Sequence, residues 1–212
     1  MEPKCFSPTA SFLAGGALSA AGTYTLRHAK KPEQVPFAAI PLLFGIQQII
    51  EGFVWLTFGQ GYVHTAATYA YVMFSHVLWP LYLPFAVWAI EPEPRRKKWL
   101  GLFVFMGCVI SATLFAYVLQ GPVTSAVVGR CIAYAVPLPS VPFSLWAYVL
   151  ATVGSCFVSS RKFVRVFGLA LLGSLAIAYW SYTEAFYSVW CFFAALLSLI
   201  VFVHLRQESE KN

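Results

Sequence analysis

Aspartate is missing altogether: all eight acidic residues are glutamates, and charged residues make up only 10% of the 212-residue chain. Beside 59% hydrophobic residues, so few charges leave too little polar surface to keep a globule of this size in water. An ordinary soluble domain is excluded. Also missing are a polar linker, a soluble segment, a convincing internal repeat of the kind many secondary transporters carry, and any HExxH, CxxC or paired-histidine motif. A ready-made metal signature and a duplicated transporter fold therefore have no support.

What is present is a series of long apolar runs. A membrane-crossing helix needs about 20 largely apolar residues, and seven runs qualify, near residues 9–26, 36–58, 63–90, 99–119, 142–160, 164–185 and 187–205. No glycine or proline separates the last two. Length separates them, because Arg165 and Arg206 are 41 residues apart, enough for two crossings and a tight turn at about 1.5 Å per residue. The expected fold is an all-α integral membrane protein, a single seven-transmembrane helix bundle over residues 1–212. Residues 120–141 form an outer loop or lid. Val127-Val128 and Cys131-Ile132 around Gly129-Arg130 fit a small hairpin there.

The net charge of +6 does not point to nucleic acid, because the basic residues sit in short clusters between apolar runs. With seven spans, twelve of the 14 lie on one side, leaving only Lys4 and Arg130 opposite. The positive-inside rule then puts the N-terminus outside and the C-terminus in the cytoplasm of a cell (inner) membrane. The first apolar run is a retained helix rather than a signal peptide, since its positive charges follow the run instead of preceding it. Its Ala10, Ala14, Gly15, Gly16, Ser19, Ala20 and Gly22 suit close helix packing.

Polar groups inside the runs are the functional clue. An ionisable side chain at bilayer depth costs at least ~2.5 kcal/mol and is usually paired, hydrated or functional. Glu51 sits in GIQQIIEGFVW with Gln47 at i−4, Gln48 at i−3 and Trp55 at i+4, on or beside one helical face. His76 precedes Pro80, which has no N–H for the carbonyl of residue 76, so a kink with a free carbonyl is expected at the histidine. Glu184 lies near the outer end of the sixth run, among Trp180, Tyr182, Tyr187 and Trp190, which read as an interfacial aromatic belt. Each has a plain alternative: a protonated carboxyl packed against Gln47, a packing histidine, a solvated carboxylate.

Taken together, Glu51, His76 and Glu184 supply oxygen and imidazole ligands that suit zinc or another divalent metal with an open position, and they are the candidate catalytic residues. Arg130, Gln47, Gln48, Trp55 and Ser7 are candidate substrate contacts, with Arg130 able to clamp an anionic head group. Cys5 and Cys131, both outside, are a candidate disulfide; Cys108, Cys156 and Cys191 read as packing residues. One functional reading is a metal-assisted intramembrane hydrolase acting on a lipid or small amphiphile. The other is a proton-coupled transporter or a small-molecule binding or receptor protein using Glu51. A structural membrane subunit is a third.

The blocks CFSPTASF (residues 5–12) and PLLFGIQQIIEG (residues 41–52) resemble an uncharacterised family of small bacterial multipass membrane proteins. In that family the Cys-Phe-Ser directly follows the initiator Met, whereas Glu2-Pro3-Lys4 intervene here. The resemblance implies a membrane protein and names no reaction. A retinal protein is excluded because residues 187–205 contain no lysine. The ceramidase-like zinc hydrolases share only the architecture, since they use several histidines and an aspartate.

Overall fold

In the computed structural model, residues 7–138, 141–182 and 185–210 are described, with the side chains of 141–143 and 208–210 left aside. The described helical segments join into seven rods, followed here in chain order. The first, α1 (Pro8–Arg27), starts with Ser7 as its cap: Ser7 Oγ accepts from Ala10 N at 3.2 Å, and Pro8 fills the first turn, where no donor is needed. The second joins a short lead-in, α2 (Val35–Ala38), to α3 (Ile40–Leu56). These two rods pack antiparallel at backbone distance. A Cβ on Gly22 would lie 2.2 Å from Leu42 N, and one on Gly45 would lie 2.7 Å from Ser19 N. Gly15 is equally tight against Ile49, whereas Gly16 faces open space and takes no part in this packing.

The third rod is built from α4 (Tyr62–Val72), a π-helical turn over Met73–Leu78 and α5 (Trp79–Ile90). The turn lies just ahead of Pro80, where a kink is expected from the sequence. Its hydrogen bonds close five residues back, as from Trp79 N to Phe74 O. The next bond in that pattern would run from residue 80 to Ser75 O, and proline has no N–H to give. The carbonyl of residue 75 is therefore left free by the helix. Tyr148 OH fills the gap, donating to Ser75 O at 2.9 Å.

The remaining rods are α6 (Pro94–Gln120), then α7 (Val141–Val149) continued through a second π-helical turn into α8 (Ser155–Val158), then α9 (Lys162–Ser181), and lastly α10 (Phe186–Leu197) with α11 (Leu199–Glu210). The break between α9 and α10 falls where the length argument requires a turn. Five of the seven rods are long and apolar enough to cross a membrane; α1 and the α7–α8 rod are not among the five. On α6 the apolar side chains Phe105 and Leu119 are 67% and 69% exposed.

Between α6 and α7 an antiparallel hairpin pairs β1 (Thr124–Val128) with β2 (Cys131–Ala135). Val128 faces Cys131 across the two-residue turn Gly129-Arg130, with Gly129 at φ +62°, a conformation that suits a tight hairpin. The hairpin lies against α4 and α10 at one end of the bundle.

The other end is tied together by Glu91, which lies between two apolar runs and so does not stand out in the sequence. Its buried carboxylate accepts from Ser159 Oγ (2.8 Å), Ser160 N (2.9 Å), Ser160 Oγ (2.5 Å) and Glu93 N (3.2 Å). Arg161 Nε donates to Ile90 O and Arg96 Nη1 to Val158 O, so the α5–α6 and α8–α9 turns form one knot. Burial pushes the Glu91 carboxyl up, but the hydrogen bonds from Ser160, Ser159 and the Glu93 backbone together hold it below its ordinary value of 4.5.

Candidate functional site

Gln47, Gln48 and Glu51 are all fully buried on α3. The helical period brings 47 and 51 onto one face and sets 48 beside them. Glu51 Oε1 accepts from Ser188 Oγ of α10 at 2.5 Å, and Gln47 Oε1 accepts from Trp79 Nε1 of α5 at 2.7 Å. Gln48 and Tyr71 also approach the Glu51 carboxyl, and the Cys191 thiol lies near Gln47 and Tyr71. Tyr134, reaching in from β2, stacks on Tyr71 with ring centroids 4.2 Å apart and planes 9° from parallel. The hairpin thus forms a roof over the buried Glu51 cluster.

Around Glu51 several buried polar atoms lack a well-formed hydrogen bond, Gln47 Nε2, both polar atoms of the Gln48 amide, Glu51 Oε2, Tyr71 OH and Tyr134 OH, although Gln48 and Tyr71 lie close to the carboxyl and Cys191 close to Gln47 and Tyr71. Each such group costs about 1–3 kcal/mol, and native interiors contain few of them. Their concentration around one carboxyl is the feature of this structure most in need of a functional explanation.

His76 belongs to the same level of the bundle. Its Nδ1 shares a hydrogen bond with Ser75 Oγ at 2.8 Å, its ring lies 4.3 Å from that of Tyr187, and its buried Nε2 is unpaired. Glu51 therefore meets Ser188 while His76 meets Tyr187. The two groups thus contact adjacent residues of α10. Among the described residues no three of His, Cys, Asp and Glu gather as metal ligands. Glu184, the third expected ligand, lies outside the described residues.

Other expected site residues have different places. Ser7 is the exposed cap of α1. Arg130 stands exposed in the hairpin turn, away from the buried carboxyl. Trp55 is half-buried next to Phe58. Cys131 is disulfide-bonded, while Cys108, Cys156 and Cys191 are free; Cys5, the expected partner, lies outside the described residues. Of the expected aromatic belt, Trp180 is 89% exposed, but Trp190 is buried and Tyr187 covers His76.

A second polar chain holds the roof down. Thr57 Oγ1 donates to Phe53 O (2.8 Å) and meets His64 Nδ1 (3.4 Å); His64 Nε2 meets Ser125 Oγ of β1 (2.9 Å), which also meets Thr68 Oγ1 (2.8 Å). Tyr69 OH accepts from Val123 N and donates to Gly121 O at the hairpin's entry. On the side away from the hairpin, Phe44, Trp79, Tyr148, Trp190 and Cys191 line a narrow cavity of about 30 Å³, space for about one water molecule. The buried polar cluster thus has a tethered roof and a largely apolar floor.

The sequence model of one family matches residues 4–212, nearly the whole chain. The chain belongs to a family of unknown function, DUF6629. No curated protein matches, and neither does any solved structure. In this DUF6629 chain the block PLLFGIQQIIEG supplies the buried polar side chains Gln47, Gln48 and Glu51.

Proposed function

We infer that this is a multipass membrane protein that binds a small polar molecule at the buried Glu51 cluster, entering from the outer, hairpin-covered side. The membrane part of this reading is supported by five sufficiently long apolar helices and by the exposed apolar side chains of α6. The orientation is supported by the basic clusters at the end opposite the hairpin.

One observation carries the binding reading: the concentration of imperfectly paired buried donors and acceptors around Glu51. A ligand bearing both hydrogen-bond donors and acceptors would satisfy the carboxylate oxygen, the Gln48 amide and the two tyrosine hydroxyls together. Buried polar atoms held in a rigid frame discriminate strongly, because a molecule that lacks the matching group leaves them unpaired. The apolar floor favours a closed binding site over a polar path through the bundle. The metal-assisted reading lacks a converging ligand set among the described residues.

The test is to purify wild type, Glu51→Gln and Glu51→Ala in mild detergent and analyse the small molecules released on denaturation. A near-stoichiometric polar compound in the wild type, reduced about tenfold or more in Glu51→Ala at unchanged helical content, is expected; about 1.4 kcal/mol of lost binding suffices for that factor. Equal ligand content in all three proteins would overturn the role given to the carboxyl.

A further inference from the structure

At the end opposite the hairpin a groove of about 770 Å³ opens between α9 and the α10–α11 rod. That volume falls within the roughly 300–1,000 Å³ of ligand sites. Its walls include Val166, Leu196, Leu199 and Val203, which are 38% to 49% exposed. Basic residues stand at its mouth: Arg161 and Lys162, where α9 begins. The backbone of the Glu91 knot fixes Arg161, through Nε on Ile90 O at 2.8 Å. Phe163 stacks on His204 at 3.6 Å between ring centroids, bridging α9 and α11 across the groove. Among the described lining residues there is no carboxylate.

The geometry points to a specific site for an anionic phospholipid, with one acyl chain along the aliphatic walls and the phosphate at Arg161 and Lys162. The two halves of the groove argue for one molecule with two chemistries. A soluble anion would leave the aliphatic walls without a role, and a zwitterionic lipid would gain little from two cations with no carboxylate among the described lining residues. Basic pockets between helices on the cytoplasmic side suit anionic head groups, and each nearby Lys or Arg adds to the attraction. This inference rests on the membrane reading above, and it concerns a site remote from Glu51.

Native mass spectrometry of the whole detergent-purified chain, titrated with phosphatidylglycerol and with phosphatidylcholine of the same acyl chains, tests it. The wild type should prefer phosphatidylglycerol by about fivefold or more. Lys162→Gln should bring that ratio close to one, and Val203→Trp, which fills the groove, should weaken both lipids. Thermal unfolding of each variant serves as the folding control, with Lys162→Arg expected to restore the preference if Lys162→Gln proves unstable. Equal binding of the two lipids by wild type, or a preference untouched by either well-folded substitution, overturns the site. A wild-type chain that stays monodisperse without detergent and ignores vesicles overturns the membrane reading itself.

Discussion

Ser188 shows how much a single hydroxyl does in this molecule. It closes the hydrogen bond to Glu51 Oε1, while Oε2 completes none. Ser188→Ala should therefore lower stability by about 1–3 kcal/mol, read as a lower midpoint of thermal unfolding in detergent, and Ser188→Thr, which keeps the hydroxyl, should recover part of the loss. Glu91 makes a different prediction. Its folded carboxyl titrates below the ordinary value of 4.5, so in that window the unfolded chain binds more protons than the folded one. Its contribution to stability is complete above about 4.5 and disappears as pH falls through the lower folded value. Unfolding midpoints measured from pH 7 down to 3 should fall more steeply for wild type than for Glu91→Gln. Glu51, Gln47 and Gln48 were legible as a buried polar cluster because polar side chains in an apolar run stand out. Tyr71, Tyr134 and Ser188 were not, because tyrosine and serine in membrane helices are common, and only the packing of three separate elements makes them neighbours.

The elements themselves were largely legible. Apolar length located all seven rods, and the Gly-Arg turn located the hairpin. Sequence could not show that the roof tyrosine would stack on α4, or that the bend at Pro80 would take the form of a π-helical turn with its freed carbonyl at Ser75. That carbonyl supports a prediction at this scale. Tyr148→Phe removes its donor and should cost about 1–3 kcal/mol. In a Pro80→Ala background, where residue 80 has an N–H to offer, the same change should cost measurably less. A double-mutant cycle on unfolding free energies reads the coupling directly, and additive costs would show that Tyr148 and Pro80 act independently. Of the expected metal triad, Glu51 and His76 stand against adjacent residues of α10, and Glu184 lies outside the described residues.

At the scale of the whole molecule, charge and shape agree. The arginine-rich knot around Glu91 joins two turns at one end, and the hairpin with Arg130 closes the other. The expected orientation can be measured by fusing a fluorescent protein that matures only in the cytoplasm after Asn212: strong fluorescence is expected, and its absence with normal expression would reverse the orientation. The π-helical turn over Met73–Leu78 also has an effect across the bundle, because it acts as a phase shifter. Tyr71 and Trp79 both face α3, one near Glu51 and the other on Gln47. They are eight residues apart, which in an unbroken α-helix would leave them about 80° out of line. One α turn of about 3.6 residues and one wider turn holding roughly one residue more restore the alignment. A single extra residue, accommodated in mid-helix, thus sets the angular position of Tyr71 and with it the seat on which the roof strand rests its own tyrosine.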